Sequence, residues 1–398
     1  MRKIIFTFLA LVFIAGFSYS QVTTLWEKSA ATTTLPVWFS PSGNTERGLG
    51  YGLVGANHRL FVVSRNGGAF GGKQIYVYNA VTGDSVSKLD TTGLAGGLFV
   101  VNDVEVSSNG IIFVCNMTTN AQTTPFKVYR YDSEAAAPVA VINYADPTGM
   151  RLGDKFTVTG STADNSIVIW AASANSNQLV KFTTADNGLT FTPEIVTLST
   201  LTGAAFGSAA VGPYADGKFY WNAGGFNPKK FTSTGSLVGT VPGSVVATGS
   251  NAIRFLRNLA GDEYIATYAY GSGNENGRIV KVEDGLPDSS SLLGTTVTLG
   301  TNANGGGTGD LAVRQVSDFV FHVYVLGTNN GFGAYQVVLP VPPLSGDYYV
   351  GSLGTAPGGA DPDFATLRDA FNVLNDATFA GDCNFYITSD ITETYTPA

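Results

Sequence analysis

Short runs of alternating hydrophobic and polar residues fill most of the chain, and this two-residue period is typical of half-buried β-strands. In KVYRYDS (127–133), Tyr129 and Tyr131 lie on one face of the predicted strand and Arg130 lies on the other. QLVKFTT (178–184) repeats the pattern about fifty residues later. The alternation predicts an all-β protein, and its recurrence suggests a repeat.

Two independent sets of positions indicate six repeats. The first set marks tight turns, often Asn-Gly or Asp-Gly, that allow the positive φ of a hairpin. Its members lie 52, 55, 52, 45 and 56 residues apart and are His58, Gly110, Asn165, Gly217, Asp262 and Asp318. The second set marks the strand that follows each hairpin. Its members lie 53, 51, 49, 51 and 56 residues apart and are Tyr78, Tyr131, Phe182, Phe231, Val282 and Val338.

Each unit contains two further strands. One strand precedes the hairpin, at 51–56, 102–108, 155–161, 208–214, 251–257 and 309–315. In units one to five another strand follows the second-set position, at 84–90, 138–144, 193–199, 236–242 and 292–299. Four antiparallel strands in each of six units predict a six-bladed β-propeller over residues 21–340. A β-sandwich or two unrelated β-domains is the alternative. If the propeller is correct, Tyr129 and Tyr131 are residues that pack one blade against the next.

The sixth unit lacks a fourth strand. The prolines of VPPLSG (341–346) have no N–H for a sheet ladder, so we interpret this segment as a linker. One strand is left over near the N-terminus, TTLWEKSA (23–30). We therefore predict that this N-terminal strand closes the last blade and removes an open sheet edge.

The chain changes character after the linker. DPDFATLRDAFNVLND (361–376) has one apolar stripe and an N-terminal Asp-Pro pair, and both features favour a helix. NFYITSD (384–390) predicts a strand. Residues 347–398 are therefore interpreted as a short α+β fragment, the truncated start of a second domain. The alternative is a small appendage that packs on the propeller.

The N-terminus has the three parts of a secretory signal peptide. A basic MRK precedes an apolar run at 4–17, and SYS (18–20) provides a small-x-small cleavage site. A membrane anchor is the alternative, but the run is shorter than the ~20 residues that span a bilayer. We predict a signal peptide at 1–20 and secretion to the cell surface or medium, with the periplasm as the other destination. After cleavage we expect no membrane insertion.

Composition narrows the possible partners. The 398 residues are 44% hydrophobic and 13% charged, so the chain can form a large core. A net charge of −8 gives no overall basic character for binding nucleic acid or anionic lipid. Cys115 and Cys383 are too few for a disulfide framework and are expected to behave as small hydrophobic residues.

Two resemblances follow from these segments. YYVGSLGTAPGGADPDFATLRDAFNVLN (348–375) resembles the openings of secreted right-handed parallel β-helix domains, in which a helix caps the first coil. The layout of signal, propeller and tail also resembles a domain of unknown function found in large secreted proteins of Gram-negative bacteria with type-nine-like export. The resemblance implies one module of a larger surface protein, and it brings no catalytic residues.

Motifs for cofactors and metals are weak. His58 and His322 have no partner at metal-ligand spacing, and no G-x-S-x-G nucleophile motif occurs. GYGLVG (50–55) matches a dinucleotide fingerprint, but no helix follows to hold a pyrophosphate. We therefore predict no cofactor and no metal.

Three carboxylates are the enzymatic option. Asp103 and Glu105 share one face of an inner strand, and Asp310 lies on the inner strand of blade six. Inner strands line a propeller channel, so these acids could act as a glycosidase pair. Alternatively they only line a solvated channel.

The loops between second and third strands are the candidate binding surface. They are rich in Gly, Asn, Ser and Thr and carry isolated aromatics, which are Phe70, Phe226, Tyr270 and Phe332. Amides and aromatic rings can hold a sugar or a peptide, although Gly and Asn also serve turn geometry alone. We expect a monomeric, secreted, non-catalytic interaction or adhesion module whose partner is a protein or a glycan. The alternative is a carbohydrate-binding or glycan-cleaving propeller that uses the loops or the channel carboxylates.

Overall fold

The structure is a computed structural model. It describes residues 21–202, 206–214, 217–258, 261–271, 273–340, 344–351, 357, 367, 370 and 379–389. The predicted signal peptide at 1–20 lies outside these residues.

Six four-stranded antiparallel sheets are formed by the described residues. Blade 1 contains β2 (Glu46–Val54), β3 (Asn57–Ser64), β4 (Gln74–Asn79) and β5 (Ser85–Lys88). Blade 2 contains β6 (Phe99–Val106), β7 (Ile112–Met117), β8 (Phe126–Tyr131) and β9 (Val139–Tyr144). Blade 3 contains β10 (Thr157–Thr159), β11 (Val168–Ala172), β12 (Gln178–Thr183) and β13 (Thr192–Thr197).

The remaining blades follow in sequence. Blade 4 contains β14 (Gly207–Pro213), β15 (Phe219–Gly224), β16 (Lys229–Phe231) and β17 (Leu237–Thr240). Blade 5 contains β18 (Ser250–Arg257), β19 (Glu263–Ala269), β20 (Asn276–Val282) and β21 (Ser290–Thr295). Blade 6 contains β22 (Gly309–Gln315), β23 (Val320–Gly327), β24 (Gly331–Val338) and β1 (Val22–Ser29). Short 3-10 helices span Gly68–Phe70, Glu283–Gly285 and Pro287–Ser289.

The N-terminal strand closes the ring. β1 pairs antiparallel with β24, with Val22 opposite Val337 and Ser29 opposite Gly331. The Trp26 indole N–H also donates to the Ala80 carbonyl of blade 1 at 3.1 Å. The predicted six-bladed propeller, including closure by the N-terminal strand, is confirmed.

The hydrophobic core lies between neighbouring blades. Phe61 and Val77 of blade 1 pack with Val104 and Tyr131 of blade 2 in one cluster. The buried Tyr131 hydroxyl donates to the Asp90 carbonyl at 2.7 Å, which satisfies its polar end. The alternating strand pattern thus buries each blade face against the next blade.

The tail contributes a two-stranded sheet. β25 (Leu344–Val350) pairs in parallel with β26 (Phe379–Ile387), and Tyr348 stacks on Phe385 with ring centroids 5.3 Å apart. β25 begins inside the segment 341–346 that we interpreted as a linker. Of the predicted helix at 361–376, only Leu367 and Ala370 are described and both are helical, so the rest lies outside the described residues. No helix in the described part of the chain is long and apolar enough to span a membrane.

Candidate functional site

The first strands of the blades, β2, β6, β10, β14, β18 and β22, surround the central channel. Each contacts its neighbours around the ring, and β22 contacts β2. Since the strands are antiparallel, turns between first and second strands emerge on one face, here called the hairpin face. Loops between second and third strands emerge on the other, called the loop face. The candidate chemistry lies along the channel between these two faces.

Five buried charged residues, here called the channel cluster, occupy the middle of the channel. They are Asp103, Glu105, Lys155, Arg254 and Asp310. The three acids were recognised as candidates from the sequence, whereas the two cations were not. Lys155 lies just before the short β10. Whether its side chain points into the channel depends on the backbone conformation that leads into this strand.

Asp103 and Asp310 join neighbouring blades through the backbone. One Asp103 carboxylate oxygen accepts the N–H of Phe156 in blade 3 at 2.9 Å. One Asp310 oxygen accepts the N–H of Leu49 in blade 1 at 2.9 Å. The second oxygen of each accepts the N–H of the following residue, at 2.9 and 2.8 Å. Both acids therefore satisfy backbone donors that the strand ladders leave open.

Two ion pairs cross the channel. Lys155 Nζ of blade 3 lies 2.9 Å from Asp310 of blade 6. Arg254 of blade 5 donates to Glu105 of blade 2. Blades 3 and 6, like blades 2 and 5, face each other across a ring of six. The side chains of the channel cluster therefore fill the channel at mid-depth.

Charge in the channel cluster is unbalanced, with three carboxyl groups against two cations. Burial, followed by the neighbouring Asp310, raises the pKa of Asp103 well above its usual range. Burial also raises the pKa of Glu105 to about 8, although Arg254 opposes the shift. The channel cluster therefore holds a proton that exposed carboxylates would lose at neutral pH. A catalytic role for these acids stays a prediction. Their contacts in the structure are with backbone N–H groups and with cations of other blades.

A cavity of about 410 Å³ lies at the hairpin-face mouth of the channel. Glu105, Arg254 and Tyr51 line it, together with Arg257. The Tyr51 hydroxyl shares a 2.7 Å hydrogen bond with Nδ1 of His58, so this histidine is bonded to a phenol at the mouth of the channel.

A second cavity, of about 210 Å³, lies at the loop-face mouth and is here called the loop-face cavity. Its lining includes four cationic residues, Arg47, Arg65, Arg151 and Lys155, with Asp154 the acidic residue among them. The site could not be recognised in the sequence, because its lining residues are spread along the chain from Arg47 to Thr308 and carry no local motif.

Bulges in the inner strands shape the loop-face cavity. The pairing of β2 with β3 shifts register between Glu46 and Leu49, which places Arg47 within the bulge. The pairing of β14 with β15 shifts between Gly207 and Ala210, and the intervening Ser208 adopts φ 51°. Bulges redirect side chains out of the regular alternation, and here they bring polar residues to the channel mouth.

The four predicted loop-face aromatics occupy different environments. Phe70 ends a short 3-10 helix and is half-buried. Phe226 is half-buried with its ring 5.1 Å from Phe206, and Tyr270 is half-buried beside Gly307. Their roles in binding stay predictions.

Phe332 requires a correction. It lies in β24 and is completely buried, with its ring 5.0 Å from Tyr78. The sixth blade joins its second and third strands through residues 328–330 alone, so Phe332 is already inside the sheet. Its ring is part of the core and is absent from the loop face.

Comparisons with known proteins agree with the fold and leave the function open. The family described as a domain of unknown function, DUF8500, matches residues 54–213. No curated protein matches the chain. A DUF4623 family protein from Bacteroides eggerthii is similar in structure, with a TM-score of 0.60 at 15% identity, covering 77% of this chain and 73% of that one.

Two further structures are more distant. A structural genomics protein of unknown function from Bacteroides thetaiotaomicron has a TM-score of 0.49 at 14% identity, over 79% of this chain and 75% of that one. An alpha-L-arabinanase from Penicillium chrysogenum, complexed with arabinobiose, has a TM-score of 0.49 at 10% identity, over 80% and 97%. At 15% identity, the similarity to the DUF4623 family protein shows the fold alone.

Proposed function

We propose that the protein is a secreted, non-catalytic β-propeller that binds a partner through its loop face, as one module of a larger bacterial surface or extracellular protein. One observation carries the proposal. The channel carboxylates are held by backbone donors and by cations from opposite blades, whereas Arg47 and Arg65 at the loop-face mouth have no carboxylate within 4.0 Å among the described residues. The acids thus support the ring, and the open charge lies where a ligand can reach it.

The arrangement argues against an acid–base pair. Retaining and inverting glycosidases need two carboxyl groups that face the substrate from either side of the bond to be cleaved. Asp103 and Asp310 are completely buried, and each has both oxygens bonded to backbone N–H groups. Glu105 lines the hairpin-face cavity but is paired with Arg254. Secretion and surface attachment rest on the predicted signal peptide and on the resemblance in layout.

Turnover assays test the proposal directly. The chain without residues 1–20 is incubated with a broad panel of plant and bacterial glycans, and released reducing ends are measured. We expect no turnover. The matched variant carries Asp103→Asn and Glu105→Gln. Release of reducing ends by the unmodified protein that this variant abolishes would support the glycan-cleaving alternative and refute the non-catalytic proposal.

A further inference from the structure

Two guanidinium groups meet in the loop-face cavity. Arg47 Nε donates to the Asn44 carbonyl at 3.2 Å, and Arg65 Nη2 donates to the same carbonyl at 3.0 Å. Sharing one acceptor brings the two planar groups together. Like charges at this separation repel, so the fold places both side chains here against an electrostatic cost.

Arg47 and Arg65 lack a counter-ion among the described residues. The other two cations of the loop-face cavity have one, since Arg151 lies 2.6 Å from Asp154 and Lys155 lies 2.9 Å from Asp310. No carboxylate lies within 4.0 Å of either Arg47 or Arg65 in the part of the chain that the structure describes.

Glu46 is adjacent in sequence but does not compensate them directly. Its Oε1 accepts hydrogen bonds from the Ser64 hydroxyl at 2.9 Å and the Thr45 hydroxyl at 2.8 Å. Burial raises the pKa of this carboxyl, so its negative charge is itself disfavoured. The two guanidiniums therefore have no carboxylate at ion-pairing distance, and Asp154 and Glu46 favour their charge only from further away.

Burial penalises the pair further. Burial, followed by repulsion from Arg47, lowers the pKa of Arg65 to about 9. A guanidinium keeps its proton at neutral pH, so the unfavourable interaction persists in the folded protein. Nε of Arg65 is buried and has no hydrogen-bond partner among the described residues. An anion in the loop-face cavity would relieve the repulsion between the two guanidiniums.

The cationic groups are held in fixed positions. The Arg65 guanidinium lies over the Phe99 ring, 3.5 Å from its centroid, and donates to Asn102 Oδ1 at 3.0 Å. Arg47 donates to the Thr308 hydroxyl, which bonds in turn to Thr328 at 2.9 Å. Groups fixed before binding lose little conformational entropy when the ligand arrives.

We propose that the loop-face cavity binds the carboxylate of a uronic acid unit in an acidic glycan. A planar guanidinium matches a carboxylate with two parallel hydrogen bonds. Asn102, Ser208 and Thr308 add neutral polar groups for sugar hydroxyls. The volume of about 210 Å³ is below the ~300–1,000 Å³ of pockets for drug-sized ligands, which suits one sugar unit. This inference rests on the proposed function and specifies its ligand.

A peptide carboxylate is the other source of the same group. Extended peptides commonly gain affinity by pairing with an open strand edge. The inner strands at this mouth pack against one another around the ring, and cross-channel ion pairs fill the space between them. The site therefore favours a compact carboxylate on a sugar ring over an extended chain.

Calorimetric titration with the chain lacking residues 1–20 tests the proposal. The probes are oligogalacturonate, its fully methyl-esterified form, a neutral galactose oligomer, an acidic peptide and inorganic phosphate. We expect binding of oligogalacturonate and at least about tenfold weaker binding of the methyl ester, since esterification removes the charge and leaves the rest of the ligand unchanged. This comparison needs no variant of the protein.

Variants then locate the site. Arg65→Gln and Arg47→Gln are each expected to weaken oligogalacturonate binding at least about tenfold, and Arg47→Lys to give an intermediate loss because it keeps charge without the planar fork. Arg257→Gln is the matched control, because it removes the same charge at the hairpin-face mouth. We expect its affinity to stay within about twofold of the unmodified protein.

Several outcomes would overturn the inference. These are equal binding of the free acid and its methyl ester, preferential binding of the acidic peptide or of phosphate, and the absence of any uronate binding. Binding of a neutral glycan or a protein at the loop face would leave the proposed function standing while this inference fails. Uronate binding followed by cleavage would support this inference and refute the proposed non-catalytic function.

Discussion

At the scale of single residues, buried charged side chains join neighbouring blades. Lys230 on β16 lies 2.9 and 2.7 Å from the two carboxylate oxygens of Glu263 on β19, and donates to the Gly285 carbonyl at 3.0 Å. The Tyr220 hydroxyl donates to Glu263 at 2.8 Å. Blades 4 and 5 are therefore joined by a buried ion pair whose hydrogen-bonding groups are satisfied, the arrangement in which such a pair is tolerated.

Replacing Lys230 by Met should lower the free energy of unfolding by about 3–5 kcal/mol, because Glu263 would stay buried without its cation. Urea denaturation measures the change. Lys281→Met is the control, since Lys281 pairs with Glu283 at a more exposed site, and we expect a change of at most about 1 kcal/mol. Similar losses in both variants would contradict the assignment. Removing both partners, with Glu263→Leu added, should recover part of the loss.

Single residues also set the limit of what the sequence could predict. Asp103, Glu105 and Asp310 were identifiable because they interrupt apolar strands. Their partners Lys155 and Arg254 were not, because opposite blades meet only once the ring is closed. The Arg47–Arg65 pair was out of reach for the same reason, and because a bulge shifts Arg47 out of the two-residue alternation.

At the scale of secondary-structure elements, the glycines of β2 explain why the sequence contains GYGLVG, a motif to which we assign no chemical role. A Cβ at Gly48 would lie 2.5 Å from the Asp103 Cα, and one at Gly50 would lie 2.4 Å from the Val104 carbonyl oxygen. A Cβ at Gly52 would lie 2.3 Å from the Val106 side chain. The alternating glycines within and before GYGLVG therefore allow β2 to approach β6 closely.

Gly50→Ala should destabilise the protein by about 1–3 kcal/mol, because the added methyl group meets backbone atoms that have little freedom to move. Gly67→Ala is the control, since a Cβ there meets nothing within 4 Å. Thermal unfolding of both variants measures the difference. Equal melting temperatures would mean that the two inner strands can separate without cost.

Strands were the best-predicted elements. The inner strand predicted at 309–315 is found as Gly309–Gln315, and the strand predicted at 251–257 is found as Ser250–Arg257. β10 is shorter than predicted, spanning Thr157–Thr159 against a prediction of 155–161. There the backbone N–H of Phe156 bonds to Asp103 instead of a strand partner, so tertiary contact replaces the sheet ladder.

The ring as a whole depends on the channel cluster. It carries three carboxyl groups and two cations with almost no access to solvent, and its two ion pairs tie opposite blades. A contact between two strands of one blade affects only the strands beside it. A change of protonation in the channel cluster affects all four blades that its ion pairs join. The stability of the whole propeller should therefore depend on the proton that the channel cluster holds.

The pKa of Glu105 determines whether the stability of the propeller rises or falls with pH. Its pKa is raised from 4.5 to about 8 in the folded protein, mainly by burial. Between these values the folded protein keeps a proton that the unfolded chain loses, so folding stability falls as pH rises. Below about pH 4.5 both states are protonated and the contribution is constant. His58 and His322 have lowered pKa values and oppose this trend, so a comparison of two proteins is needed to isolate Glu105.

Glu105→Gln supplies that comparison, because it removes one titrating carboxyl group of the channel cluster and leaves Asp103 and both histidines in place. From pH 5 to 8 the unfolding free energy of the unmodified protein, minus that of the variant, should fall by up to about 1.4 kcal/mol per pH unit. Chemical denaturation across this range measures it. A difference that stays constant with pH would show that Arg254 keeps Glu105 ionised throughout, and the excess charge of the channel cluster would then have to be neutralised at Asp103, whose pKa is also raised by burial.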